Sequence, residues 1–390
     1  MRRLTKTVAA IASGSLALLA VPAVGVATSG AAPKPTYTIG YQGPLSGGNQ
    51  QLGLNMVFAV QLAINQANAS GKLPFVLKLK TFDDQGDPTV APSVAQSAVA
   101  NKNLVAMVGP AFSGATQASM RYYFAASLPV VSPSATRVSL AHAGWTDFFR
   151  VVADDGVQGP ADANYAVKKL HAKKVYVVND ASSYGAGLAS AFAATAKADH
   201  ASVTAVTVPG TAACQNGTAS TTEYSAAAIA AKASGASLLF YGGYYCDLGL
   251  FLTQLHSVGY KGAVMSGDGA NSPSLIQGTT PHSAANGVYL SCACAQSTSM
   301  AFNAQFQALS HFSAATATYA PESYDAANVI IAAMKSLKVI SRKNIVAALH
   351  KIHYMGMTKA ISFQPDGNIA GAAIYVSQVK NGQIVQLGLE

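Results

Sequence analysis

The sequence predicts an α/β protein made of two parallel-sheet units. Short apolar runs typical of buried strands alternate with alanine-rich segments of helical periodicity. The alternation restarts near Asp154, which divides the chain into two units of similar size. Strands that alternate with helices favour parallel sheets with helices packed on their faces. A length of 390 residues suits about two domains.

The first unit begins with a strand at 37–45 and a helix at 53–71, which ends at a glycine. The alternating stretch FVLKLKTFDD predicts a half-exposed strand, and the apolar LVAMV predicts a buried one. A helix is predicted at 91–103 between these strands, and another after LVAMV. Two further strands are predicted at 128–136 and 148–155.

The second unit repeats this order. Its predicted strands lie at 173–180, 202–210, 237–245 and 262–270, and its predicted helices at 185–198, 223–235 and 248–260. The stretch GVYLSCAC precedes a long helical region that ends near Tyr354. The segment 360–388 predicts a hairpin on the turns Asp366-Gly367 and Asn381-Gly382, because such pairs accept the positive φ of tight turns.

The charge pattern argues against a nucleic-acid-binding protein. Only 11% of the residues are charged, and the formal net charge is +9. Arg2, Arg3 and Lys6 supply three of the positive charges, and the other basic residues are scattered. The chain has no basic stripe interleaved with aromatic residues, which nucleic-acid binding would favour.

Residues 1–32 predict a secretory signal peptide, since a basic start precedes an apolar run and small residues. Cleavage after Ala27 or after Ala32 fits this pattern. The alternative is an N-terminal membrane anchor, but Gly, Ser and Pro interrupt the apolar run. The segment has no cysteine for lipid attachment, and no later run is apolar for long enough to span a bilayer. We therefore expect an exported protein, periplasmic or extracellular.

An even number of cysteines in an exported chain favours disulfides. The four candidates are Cys214, Cys246, Cys292 and Cys294. Cys292 and Cys294 would close a very small ring, so at least one bridge between distant segments is expected. His350 and His353 lie one helical turn apart, but a third metal ligand is missing, so we expect no metal site.

Five predicted strands end in small, hydroxyl or aromatic residues. The first of these ends, GPAFSGAT, offers either a helix N-cap or free N–H groups for an anion. Ligands of open parallel sheets bind beyond the carboxyl ends of the strands, so two such sheets facing one cleft would enclose a small polar molecule. The residues at these ends are Ser113, Gly114, Ala115 and Thr116; Ser132, Ser134 and Thr136; Asp180, Ser182, Ser183 and Tyr184; Gly242, Gly243, Tyr244 and Tyr245; and Ser266, Gly267, Asp268 and Gly269.

The sequence disfavours an enzyme. It has no GxSxG elbow, no HExxH and no GxxxxGK[ST] loop. None of the five strand ends contains a histidine, and catalysis needs a nucleophile or base in a matched pair. We therefore expect ligand binding without chemistry and without a cofactor.

The order and spacing of nine short motifs resemble the branched-chain amino-acid binding proteins, which are type I periplasmic-binding-fold receptors of ABC importers. The resemblance runs from about Tyr37 to Gly388. The motifs are GPLSG, DDQGDP, VGPAFSGAT, VSPSAT, FRVVADDGVQGPADANY, YGAGLA, YGGYY, GDG and ISFQPDGN.

This resemblance implies two Rossmann-like lobes, each a parallel-sheet α/β sandwich, joined by a three-segment hinge. The crossings are expected near Ala153, Cys292 and Phe363. The N-terminal lobe would comprise 36–153 with 293–362, and the C-terminal lobe 154–292 with 363–390. A ligand would be clasped between the lobes by hinge closure.

The resemblance also implies the ligand contacts. Ser113 and Thr136 would bind the ligand carboxylate, and the backbone carbonyl of Ser134 would meet the ammonium. Asp268 would pair with the α-ammonium, which gives a strong, charge-assisted hydrogen bond. Tyr184 and Tyr244 would close over the ligand from the second lobe.

Each residue also has a purely structural interpretation. Ser113 and Thr136 suit helix N-caps, Tyr184 and Tyr244 suit buried core positions, and Asp268 suits a turn between glycines. A buried acid without a partner would be costly, however, which favours the binding role for Asp268.

Three departures from the family pattern concern specificity and disulfides. Leu52 stands where the family often has an aromatic residue, which implies a different side-chain pocket. Cys246 stands where proline is common, and Cys214 lies in an apparent insertion. Both cysteines follow the ends of consecutive strands in the second lobe, so a bridge between them is our first expectation.

The resemblance therefore implies a receptor that delivers an amino acid, branched-chain or otherwise apolar, to the permease and ATPase subunits of an ABC importer. A monomer is expected. The same fold tuned to an aromatic acid, an amide, urea or a short peptide stays open, as does a sensor domain acting through a membrane partner.

Overall fold

The computed structural model describes residues 33–211, 214, 224–371 and 373–389. The predicted signal peptide, 1–32, lies outside the described residues. Residues from Pro35 onward form one compact unit. None of the helices in the described part of the chain has the length and apolar character of a membrane span.

The strands follow each other along the chain in this order: β1 Thr36–Gly43, β2 Val76–Asp83, β3 Leu104–Val108, β4 Val130–Ser132, β5 Phe148–Arg150, β6 Lys174–Asn179, β7 Ser202–Thr207, β8 Leu238–Gly242, β9 Ala263–Ser266, β10 Tyr289–Cys292, β11 Tyr354–Met355, β12 Ala360–Ile361, β13 Tyr375–Lys380 and β14 Gln383–Leu389.

The α-helices are α1 Gln50–Ala69, α2 Ala91–Ala100, α3 Ser113–Ala125, α4 Asp155–Asn164, α5 Ser183–Ala198, α6 Ser225–Ser234, α7 Tyr245–Val258, α8 Pro273–Gln277, α9 Met300–Ser310, α10 Ala320–Lys335 and α11 Arg342–Leu349.

Two main sheets organise the molecule. The first sheet has the strand order β2-β1-β3-β4-β5 and is parallel throughout. The second has the order β14-β13-β10-β9-β8-β6-β7. It is parallel from β10 to β7, while β13 and β14 pair antiparallel at its edge. We call each sheet with the helices packed on it the first lobe and the second lobe.

The central strands are buried because helices cover both faces of each sheet. All five residues of β3 and all five of β8 are buried, and every one of these ten except Gly242 carries an apolar or aromatic side chain. The prediction that LVAMV forms a buried strand is therefore confirmed.

The chain passes between the lobes three times. It leaves the first sheet after β5, and α4 then packs on α5 of the second lobe. It returns after β10, since α9 and α10 pack on α1. It crosses again before β13. This topology is that of an α/β protein with two parallel-sheet lobes.

Two segments differ from the prediction. The single helical region expected before Tyr354 is three helices, α9 to α11. His311 follows the end of α9, and Tyr319 precedes α10. Both adopt left-handed backbone, with φ of 62° and 65°. Conversely, α4 was not predicted, because its glycines and Pro160 lower helix propensity. It forms with Asp154 as N-cap, whose side chain accepts the Gly156 N–H over 3.0 Å.

The expected hairpin is present. β13 and β14 are joined by Asn381-Gly382, with φ of 49° and 76°, as a type I′ turn requires. The Asp366-Gly367 turn brings Phe363 and Ile369 into an antiparallel bridge.

Candidate functional site

A small enclosed cavity lies where the carboxyl ends of the strands of both lobes meet. Its volume is about 10 Å³, enough for about one water molecule. The cavity is lined by Leu52, Met56, Ala111, Phe112, Ser113, Ser134, Tyr184, Tyr244, Asp268, Gly269 and Tyr319. The lobes are thus closed on each other, and a larger ligand enters only when they separate.

The sequence predicts seven residues that would contact a ligand. Six line this cavity, namely Leu52, Ser113, Ser134, Tyr184, Tyr244 and Asp268. Thr136 is fully buried but does not line it. The structure therefore brings together residues from positions 52 to 268.

Asp268 is the electrostatic centre of the cavity. It follows β9, is 3% exposed, and accepts hydrogen bonds on both oxygens. The Tyr184 hydroxyl donates to Oδ1 over 2.8 Å, and the Tyr319 hydroxyl donates to Oδ2 over 2.7 Å. Burial raises the pKa of the Asp268 carboxyl, while these hydroxyls oppose the rise.

Tyr184 is held in place from two sides. Its hydroxyl also accepts the Gly269 N–H over 3.0 Å. The pKa of Tyr184 and that of Tyr319 both lie well above the ordinary value, first because both rings are buried and then because the Asp268 charge is close. Both phenols therefore stay protonated and act as donors.

Aromatic rings close the cavity on one side. Phe112 of the first lobe stacks on Tyr244 of the second, with ring centroids 4.2 Å apart and planes at 22°. Tyr244 also contacts Tyr184 at 5.2 Å. Such pairs add stabilisation beyond simple burial, and the Phe112–Tyr244 pair joins the two lobes.

Hydroxyl groups and a helix start lie opposite Asp268. Ser113 is the first residue of α3, and its Oγ accepts the Arg137 N–H over 3.2 Å. The first N–H groups of α3 have no partner inside the helix and favour an anion. The Ser134 hydroxyl donates to the Ala111 carbonyl over 2.7 Å. The side chain of Ser134 thus has a structural partner within the first lobe.

Thr136 and Asp155 lie buried beside the hinge segment. The Asp155 N–H donates to the Thr136 carbonyl over 2.9 Å. Within the described residues, neither the Thr136 hydroxyl nor the Asp155 carboxylate has a partner in good hydrogen-bond geometry. Burial, and then the Asp268 charge, raise the pKa of Asp155 to about 8. A second acid thus lies near Asp268.

The apolar wall comes from α1. Leu52 is 2% exposed and Met56 is fully buried, and both line the cavity. Met56 Sδ also lies 3.2 Å from the Ser134 hydroxyl. This wall would face the side chain of a ligand held between Ser113 and Asp268.

Sequence reasoning did not single out Tyr319 or Phe112. Phe112 lies beside Ser113 in a motif already selected, so its aromatic side chain was the signal to follow. Tyr319 lies inside the region predicted as one helix. Its left-handed backbone, which turns the ring toward Asp268, has no signature in a non-glycine residue.

The cysteines form two disulfides, Cys214–Cys246 and Cys292–Cys294. The first is the distant pair that the sequence favoured, and the second is the small ring. Among the described residues, no cluster of three or more His, Cys, Asp or Glu could hold a metal ion. His350 Nε2 instead lies 2.8 Å from the Thr146 carbonyl, and its ring contacts Phe149.

The arrangement suits a small zwitterion. N–H and hydroxyl groups that could accept an anion lie on the first lobe, and a buried carboxylate lies on the second. A molecule with a carboxylate and an ammonium a few bonds apart would connect the two lobes through opposite charges.

Comparison with known proteins gives a consistent result. The sequence profile of the periplasmic binding protein family matches residues 36–383. An amino acid binding protein of Pseudomonas aeruginosa is 30% identical over 257 residues, covering 66% of each chain. The Leu/Ile/Val-binding protein BraC3 of Rhizobium johnstonii is 30% identical over 235 residues, covering 60% of this chain and 61% of its own. The matched region thus spans less than two thirds of these relatives' length.

A solved structure extends the match to nearly the whole fold. The branched-chain amino acid transporter substrate binding protein LivJ of Streptococcus pneumoniae, in complex with isoleucine, superposes with a TM-score of 0.80. The two sequences are 27% identical, and the alignment covers 91% of this chain and 99% of LivJ.

Proposed function

Because this chain belongs to the periplasmic binding protein family, we propose that it is an exported receptor that captures a small apolar amino acid, in particular a branched-chain one. It would deliver this ligand to the permease and ATPase subunits of an ABC importer. The relatives named above bind amino acids or belong to amino-acid transporters, which supports the proposal.

One observation carries the proposal within this chain. Asp268 is a buried carboxylate that faces the α3 N-terminus and Ser113 across a closed cleft. A buried acid persists only with partners that repay its desolvation. Two tyrosine hydroxyls do this here, and an ammonium would do so more strongly because it carries a full charge.

The proposed mechanism is closure around a ligand without chemistry. The two lobes would rotate about crossings near Ala153, Cys292 and Phe363. In this proposal the first, N-terminal lobe comprises 36–153 with 293–362, and the second, C-terminal lobe comprises 154–292 with 363–390. A ligand that contacts both lobes selects the closed form. The importer would recognise that form.

The test is a ligand panel read by thermal unfolding of the chain from about Pro33. A ligand that binds only the folded state raises the unfolding midpoint. We expect shifts with leucine, isoleucine or valine that disappear in Asp268→Ala and persist in Asp199→Asn. Asp199 lies at the far end of α5 from Tyr184 and so provides a matched loss of an acid.

Two outcomes would overturn the proposal. One is a shift only with ligands that lack an ammonium, such as an aromatic acid, an amide or urea. The other is conversion of a bound ligand to a product, which mass spectrometry of the incubated mixture would reveal.

A further inference from the structure

Two helix starts meet at the rim of the cleft, outside the cavity. α1 of the first lobe begins at Gln50, and α7 of the second begins at Tyr245. The Gln51 N–H donates to the Tyr245 hydroxyl over 3.1 Å, and the Cys246 N–H donates to Asn49 Oδ1 over 3.3 Å. These N–H groups have no acceptor within their own helix. Each helix therefore caps the other across the cleft.

Gly48 adds a third hydrogen bond at the same place. Its N–H donates to the Cys214 carbonyl over 2.8 Å. A Cβ on Gly48 would lie 2.0 Å from that oxygen, so the lobes could not approach this closely with any side chain there. Gly48 is not among the residues with positive φ. An alanine would therefore disturb the approach of the lobes and leave the local backbone unstrained.

The disulfide Cys214–Cys246 ties together two of the groups that the second lobe contributes. Its Cα atoms are 5.7 Å apart. The Cys214 carbonyl and the Cys246 N–H therefore reach the first lobe as one unit. Preorganised groups lose less freedom when a contact forms.

We infer that this rim contact, formed by Gly48, Asn49, Gln51, Cys214, Tyr245 and Cys246, is a latch that sets how long the closed form lasts. The inference rests on the proposed receptor function. None of the six residues lines the cavity beside Asp268. The latch thus controls the rate of ligand release without touching the ligand.

The kinetic consequence follows from when the contact exists. Its hydrogen bonds form only after the lobes meet, so they are absent when a ligand enters the open cleft. Weakening the latch therefore speeds dissociation and leaves association nearly unchanged. A residue with a merely structural role would not separate the two rates in this way.

The experiment measures both rates for L-leucine and L-isoleucine by stopped-flow fluorescence. Gly48→Ala and Asn49→Ala are compared with the wild type and with Asn65→Ala, which changes an exposed side chain on the same helix. We expect dissociation to become about tenfold faster in Gly48→Ala and about fivefold faster in Asn49→Ala, with association within about twofold of the wild type. Asn65→Ala should match the wild type.

A second readout needs no ligand. The distance between spin labels on the two lobes should lengthen in Gly48→Ala and in Cys214→Ser/Cys246→Ser. If the wild type binds and both variants release the ligand at the wild-type rate, the latch is overturned. If the wild type bound no amino acid, the receptor proposal would fail, and unchanged label distances in the variants would then overturn the latch on their own.

Discussion

The Tyr319 hydroxyl donates a hydrogen bond to Asp268 Oδ2 over 2.7 Å, and the two residues belong to different lobes. Tyr319 precedes α10, which packs on α1 of the first lobe, whereas Asp268 follows β9 of the second. This hydrogen bond thus joins the proposed ammonium site to the opposite lobe. It links the charge of the site to the closure of the protein.

Removing this hydroxyl should open the ligand-free protein. In Tyr319→Phe the ring still packs, but Asp268 loses one donor, a loss of about 1 kcal/mol or more for a hydrogen bond to a charged group. The closed fraction should fall, and the radius of gyration from small-angle X-ray scattering should rise. Tyr324→Phe, a tyrosine on α10 that bonds Gln66 of the same lobe, is the control. An unchanged radius in Tyr319→Phe would contradict this role.

Ser113 should contribute to binding through the ligand carboxylate. Ser113→Ala removes one hydroxyl, and we expect affinity for leucine to fall roughly tenfold. The same fall is expected for 4-methylpentanoate, which keeps the carboxylate and lacks the ammonium. Calorimetry measures both. Ser310→Ala, which removes a hydroxyl bonded within α9, should leave both affinities unchanged. Losses that differ between the two ligands would argue against a carboxylate contact.

Leu52 should set the size of the side-chain pocket. Leu52→Ala removes part of the wall formed with Met56 and so enlarges the pocket. The ratio of phenylalanine to valine affinity should therefore rise. The truncation should also lower the free energy of unfolding by roughly 2–5 kcal/mol. Leu62→Ala truncates another buried leucine of α1 that does not line the cavity, and it should cost stability without changing the ratio. Equal affinity ratios in both variants would show that Leu52 does not set the size of the side-chain pocket.

Stability should fall as the pH rises from 5 to 8. Burial raises the pKa of Asp147 to about 7, whereas an unfolded aspartate titrates near 3.9. Between these two pKa values the folded state binds more protons than the unfolded state, so the free energy of unfolding falls as the pH rises. The contribution of the protonated Asp147 to stability is complete below the unfolded pKa and is lost as the pH rises through about 7. The pKa values of Asp84 and Glu322 are also raised to about 7, and they act in the same direction.

Asp147→Asn isolates one group in this pH dependence. Neither of its carboxylate oxygens has a hydrogen-bond partner among the described residues. The variant should show a smaller fall of the unfolding midpoint between pH 5 and pH 8 than the wild type. Differential scanning calorimetry at several pH values measures it. Identical slopes would show that Asp147 keeps an ordinary pKa in the folded protein.

The sequence predicted the strands well because buried parallel strands have a local signature. LVAMV and the run before Gly242 are apolar throughout, whereas an ordinary amphipathic helix would interrupt such a run with polar residues. The turn at Asn381-Gly382 was equally local, since this pair prefers positive φ whatever surrounds it.

The cavity itself was predictable only in part. Ser113 follows the end of β3 and Asp268 follows the end of β9, so topology alone brings them to one edge. Tyr319 lines the cavity and itself has left-handed backbone just before a helix, whereas Thr136 does not line the cavity. Both outcomes depend on how the lobes pack, which no short stretch of sequence encodes.

The most direct test of the central claim is a thermodynamic cycle between Asp268 and the ligand ammonium. Calorimetry would measure the affinities of leucine and 4-methylpentanoate for the wild type and for Asp268→Asn. A coupling energy of about 2 kcal/mol or more between the carboxylate and the ammonium is predicted, because charge-assisted pairs in a closed cleft are strong. A coupling near zero, with all four complexes measurable, would show that Asp268 does not recognise the ammonium.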